Sequence, residues 1–112
     1  MGNYDHEAPL LRNEAIGKRL LLTRRAVGMA QRSFAEAASI ANNTYNQYET
    51  GKNRPAIDNA IRLCHAFDLT LDWIYRGDPS GLRFQLGQAI AALLAVDGEN
   101  QIKTRPPLGG QK

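Results

Sequence analysis

From Asn13 onward the apolar residues recur at three- and four-residue steps, and no segment alternates convincingly with period two. That pattern admits helices and leaves no strand to build a sheet from. Ile16, Leu20, Thr23 and Val27 define one face of a helix over residues 13–27, with Asn13 as its N-cap and Gly28 as its stop. Leu21 and Leu22 widen its stripe. A short second helix over residues 31–38 would bury Phe34, Ala35 and Ala38, and a turn over residues 39–41 leads to a third helix over 42–49. Tyr45 and Tyr48 stand on one side of it, and Thr50-Gly51 ends it. Pro55 introduces a fourth helix over 57–67, with Ile57, Ala60, Ile61 and Cys64 inward, and a fifth over 71–75 stops at Gly77-Asp78-Pro79. Residues 82–96 read as one more amphipathic helix, with Leu82, Leu86, Ile90 and Leu93 in register and Phe84 and Leu94 beside them.

A chain of 112 residues has room for one compact domain with tails. Residues 1–12 lack periodicity and read as a mobile arm, 13–78 as the domain, 79–97 as a helix that dimerises or completes the core, and 98–112 as a disordered tail marked by Arg105-Pro106-Pro107 and Gly109-Gly110. With 43% hydrophobic and 22% charged residues the balance is that of a soluble globular chain. The apolar runs are too short for a bilayer and the start lacks a secretory core segment, so cytoplasm is the expectation.

Cys64 is the only cysteine, and His6 and His65 are the only histidines. A disulfide framework and a multi-cysteine zinc site are excluded, and neither a cofactor nor a metal is expected. No Ser-His-Asp spacing, phosphate-cradling glycine loop or HExxH pattern is present, so the chain does not read as an enzyme. Cys64 and His65 are helical neighbours whose side chains diverge by about 100°, which favours a small core residue beside an exposed one over an activated thiol.

The net charge of +3 is unevenly spread. Residues 12–54 carry eight Lys or Arg against three acids, a net +5, whereas residues 55–112 carry six of each sign and the first eleven residues two acids. The positive field therefore lies on the half of the chain that holds the two short helices, where it can meet a polyanion.

The outward face of the third helix carries the chemistry. Asn42, Asn43, Asn46 and Gln47 fall within one arc of about 140° at 100° per residue. Asparagine is a poor interior helix former, so three of them in two turns do not serve helix stability. A carboxamide offers a donor and an acceptor together, the pair that adenine N6 and N7 require in the major groove, and each good bidentate contact is worth about 1–3 kcal/mol of discrimination. Asn42 by itself reads equally well as a helix cap.

The stretch MAQRSFAEAASIANNTYNQYETGKNRP, Met29 to Pro55, together with LDWIYRG, Leu71 to Gly77, resembles the helix-turn-helix of the Cro and phage-repressor (XRE) family. The resemblance covers about residues 16–77 and implies an all-α, five-helix lambda-repressor-like DNA-binding domain, here with an additional C-terminal amphipathic helix. It implies that Gln31 contacts a phosphate, that Asn42, Asn43 and Gln47 face bases or adjacent phosphates, with Asn46 on the same face, and that Ala41 and Thr44 flank them. Lys52 and Asn53 match a loop that touches backbone, and Arg24 and Glu49 match a structural pair tying the first helix to the end of the third. Two positions depart from the family pattern. Ser39 replaces the usual turn glycine, which calls for a strained or altered turn, and Tyr45 replaces a smaller aliphatic residue, so that its hydroxyl must find a partner or reach the edge.

The reading that follows is a sequence-specific double-stranded-DNA-binding regulator, a repressor whose third helix enters the major groove. Lys18, Arg19, Arg25, Arg32, Lys52 and Arg54 are the phosphate candidates. Such domains usually act as homodimers on palindromic operators. An antitoxin-like protein-binding module is the alternative. RNA binding is disfavoured because the face lacks stacking aromatics.

Overall fold

The computed structural model describes residues 8–104, and the side chains of residues 8–96. It is all-helical, with no strand among the described residues. A 3-10 turn, Pro9–Leu11, precedes α1 (Asn13–Val27), α2 (Gln31–Ala37), α3 (Asn42–Glu49) and α4 (Ile57–Phe67); a single π-helical turn, Asp72–Arg76, leads to the long α5 (Phe84–Thr104). Of the expected N-terminal arm, residues 1–7 lie outside the described residues, as do residues 105–112 of the expected tail. The last helix continues past Val96 to Thr104, so residues 98–104 are helical where a tail was expected.

The core forms where the short helices converge on α1. Ile16 and Leu20 meet Phe34 and Ala35 of α2, Tyr45 of α3 and Leu63 of α4, all of them fully buried. Phe34 is the hub: its ring stacks on Phe67 at 4.1 Å and tilts against Tyr45 at 5.3 Å, which adds directional aromatic contact to the area buried. A bare glycine lets α1 and α3 come this close. A Cβ placed on Gly17 would stand 2.5 Å from the carbonyl oxygens of both Tyr48 and Glu49, so the end of α3 rests directly on the backbone of α1.

Helix α4 is rotated from its expected setting. Ala60 and Leu63 are buried, with Cys64 and Phe67 packed against the core, while Ile57 and Ile61 are 53% and 40% exposed. Both faces satisfy helical spacing; the one carrying Leu63 and Phe67 offers the larger apolar surface and finds the Phe34 ring. Burial pushes the Cys64 thiol up from its ordinary value, while His65 beside it is exposed.

The first half of α5 folds back on the domain. Ile90 is buried in the common core and Leu82 and Leu86 pack at its margin, while α5 lies along α1. Phe84, Leu94 and Val96 remain exposed, with Leu94 at the rim of a cavity of about 250 Å³ shared with Leu10, Leu22 and Trp73. No helix among the described residues is long and apolar enough to cross a membrane.

Candidate nucleic-acid interface

Helices α2 and α3 meet at a tight corner. The turn between them passes through Ser39 at φ 60°, the left-handed conformation for which a glycine is the usual choice, and Ile40 N–H bonds back to Ala35 carbonyl at 2.9 Å to close it. Serine therefore keeps the geometry at a backbone cost of about 1–2 kcal/mol instead of altering it.

The corner is locked by Glu49 at the end of α3. Its carboxylate accepts from Arg24 Nε at 2.7 Å and Nη2 at 3.2 Å, from the Tyr45 hydroxyl at 2.6 Å, and from Gln31 Nε2 at 3.2 Å. Burial pushes the Glu49 carboxyl up, but the bonds from Arg24, Tyr45 and Gln31 more than offset it and hold its pKa below the ordinary value. Tyr45 is buried, and its phenol, desolvated and bonded to a carboxylate, is pushed far above its usual range and stays protonated. The enlarged side chain thus brings its own partner. Arg24 also donates to Met29 carbonyl at 3.1 Å, so a single guanidinium joins α1, the connection that leads into α2 and the end of α3.

On the outer side of α3, Asn43 and Asn46 are exposed and Gln47 is half-buried, with Ala41 exposed and Thr44 half-buried at its start. Each of the three amides is oriented by a protein donor. Thr44 N–H donates to Asn43 Oδ1 at 2.8 Å, Gln31 Nε2 to Asn46 Oδ1 at 3.0 Å, and Asn53 Nδ2 to Gln47 Oε1. Asn42 differs from the other three: it is the first residue of α3 rather than its cap, Ala41 holding that position. Its Oδ1 is buried without a hydrogen-bond partner among the described residues, so that oxygen is not on the outer edge.

The cations divide into two sets. Arg25, Arg32 and Lys52 are exposed, and Lys18 and Arg54 line a groove with Arg12 between the 3-10 turn and the start of α1. Arg54 also donates to Leu11 carbonyl at 2.6 Å. Arg19 is a correction to the expected phosphate set. It is 6% exposed and donates to Ile74 carbonyl from Nε (3.2 Å) and Nη2 (2.9 Å) and to Leu10 carbonyl at 2.8 Å. Facing inward on α1, it ties the π-helical turn and the 3-10 turn to the domain; burial, and secondarily the Arg54 charge, pull its pKa down. Gln31 departs from its expected part as well: both hydrogens of its Nε2 are engaged by Asn46 and Glu49, so that amide group has no donor left for a phosphate. Its bridging place, between an ion pair and an amide on another helix, carries no signal in sequence spacing.

The sequence profile of the family described as Helix-turn-helix matches residues 20–74, the segment that contains this corner. Residues 20–74 belong to the helix-turn-helix family. The chain is 30% identical over 64 residues to the HTH-type transcriptional regulator ImmR of Bacillus subtilis, a match covering 57% of this chain and 50% of that protein. It is 28% identical over 57 residues to the cryptic phage CTXphi transcriptional repressor RstR of Vibrio cholerae, 51% of each chain. The chain thus aligns with about half the length of the curated relatives it matches. No solved structure matches the chain.

Proposed function

We propose that the chain is a sequence-specific double-stranded-DNA-binding transcriptional regulator, acting as a repressor, with helix α3 inserted in the major groove. The observation that carries this reading is the pairing of exposed side-chain amides on α3 with the part-buried Arg24–Glu49 ion pair beneath them. Base reading requires side chains held in place before the duplex arrives, and α3 is held from behind by Glu49, Tyr45 and the close approach at Gly17. Exposed Arg25, Arg32 and Lys52 supply the positive surface, with Lys18 and Arg54 farther along the domain. The names of the two relatives, a transcriptional repressor and a transcriptional regulator, support the same reading.

One domain of this size reads few base pairs, which favours a homodimer on a palindromic operator with half-sites about one helical turn apart. The exposed Phe84 and Val96, which α5 turns away from the core-facing Ile90, are the surface proposed for pairing. Selection of bound fragments from random duplex DNA by the full chain tests this directly. A recovered two-fold symmetric sequence, and an affinity falling linearly with log salt, are the expected results. Recovery of unrelated fragments with no shared sequence would remove the base-reading role of α3.

A further inference from the structure

Building on the DNA-reading role proposed above, we infer that Glu49, acting through Gln31, fixes the Asn46 amide with its oxygen inward and its NH2 outward, so that α3 selects a base with an acceptor at that point of the major groove. A lone exposed asparagine can present either end of its amide, because oxygen and nitrogen exchange places by a half-turn. Asn46 is wired to a group that has no such freedom. Arg24 holds Glu49 ionised, and an ionised carboxylate only accepts. The end of Gln31 lying 3.2 Å from Glu49 Oε1 is therefore its NH2, and the second hydrogen of that NH2 reaches Asn46 Oδ1 at 3.0 Å. Turning Asn46 over would set one NH2 against another. The polarity is thus imposed by a charge two side chains away, and no hydrogen bond among the described residues uses Asn46 Nδ2. The neighbours agree: Asn43 and Gln47 also have their oxygens engaged by protein donors.

The consequence for recognition is an exclusion. Purine N7, guanine O6 and thymine O4 accept a hydrogen bond in the major groove, whereas cytosine offers only its N4 amino group. A fixed outward donor takes the first set and refuses cytosine. A free amide would turn and accept from it.

The test starts from the sequence selected by the full chain and replaces each base pair in turn. The pair whose preference flattens in Asn46→Ala is the one that Asn46 faces. There the wild-type chain is expected to bind cytosine about tenfold or more weakly than the best base, and Gln31→Met, which frees the amide, to cut that penalty to about twofold. Asn46→Asp still accepts from Gln31 but turns an acceptor outward, and is expected to favour cytosine. In the DNA-free chain, the Asn46 side-chain NH2 resonances should shift and its amide rotation quicken in Gln31→Met. A folded Gln31→Met chain with the wild-type base profile overturns the proposal, as does an Asn46 NH2 signal indifferent to that substitution. A wild-type chain that selects no sequence overturns the DNA reading beneath it, and its NMR arm then reports the wiring alone.

Discussion

Glu49 accepts from three different side chains belonging to α1, α2 and α3 itself, and its removal exposes each of them in turn. Removing Glu49 leaves the part-buried Arg24 charge without its carboxylate and the Tyr45 hydroxyl without its acceptor, so Glu49→Ala should cost about 3 kcal/mol, the low end of the range for a buried pair, in a denaturant titration. Tyr45→Phe removes one charged-acceptor bond and leaves the ring packing intact, for about 1.5–3 kcal/mol. The depressed Glu49 pKa also sets a sign. A carboxylate whose folded pKa lies below its unfolded value stabilises fully above the ordinary Glu value of about 4.3, and that contribution fades as pH falls through the folded pKa. Melting temperature should therefore drop across the acid range in the wild-type chain, and a folded Glu49→Gln chain should show a shallower acid slope. For recognition, Asn43→Ala is expected to weaken a selected site far more than random DNA, while Lys52→Ala weakens both alike, as competition binding would reveal.

At the scale of elements, the α1–α3 contact depends on the missing side chain of Gly17. Gly17→Ala would improve helix propensity in an isolated α1, yet here its methyl meets two backbone carbonyls that have nowhere to go. Overpacking of about 1–3 kcal/mol outweighs a propensity gain of about 1, so the variant should melt earlier. Ser39→Gly runs the other way. Relief of about 1–2 kcal/mol of left-handed strain exceeds the roughly 0.4–1 kcal/mol of added unfolded-state entropy, and the melting temperature should rise. Much of this architecture was legible in the sequence because short helices bounded by Gly28, Ser39–Ala41 and Thr50-Gly51 are local patterns. The setting of α4 was not, since Ile57/Ile61 and Leu63/Phe67 satisfy the same spacing and only the position of Phe34 chooses between them. Nor was the inward turn of Arg19, whose partners are main-chain carbonyls at Leu10 and Ile74 that no residue type announces.

At the scale of the whole molecule, α5 has two unequal sides. Ile90 closes the monomer core, whereas Phe84 and Val96 lie out in solvent, so the doubly charged variant Phe84→Asp with Val96→Asp should fold normally and yet sediment as a monomer. Unchanged association in that variant would move the pairing surface elsewhere. The same layout separates folding from recognition in a practical way. Trp73, the single tryptophan, is 4% exposed, and its indole N–H donates to Thr23 Oγ1 at 2.9 Å in the interior, on a turn apart from the α2–α3 corner. Its emission is therefore an internal gauge of chain integrity: blue and steady while operator is titrated in, red-shifted once the interior is breached. An investigator can use one spectrum to tell a variant that has lost its binding from one that has lost its shape.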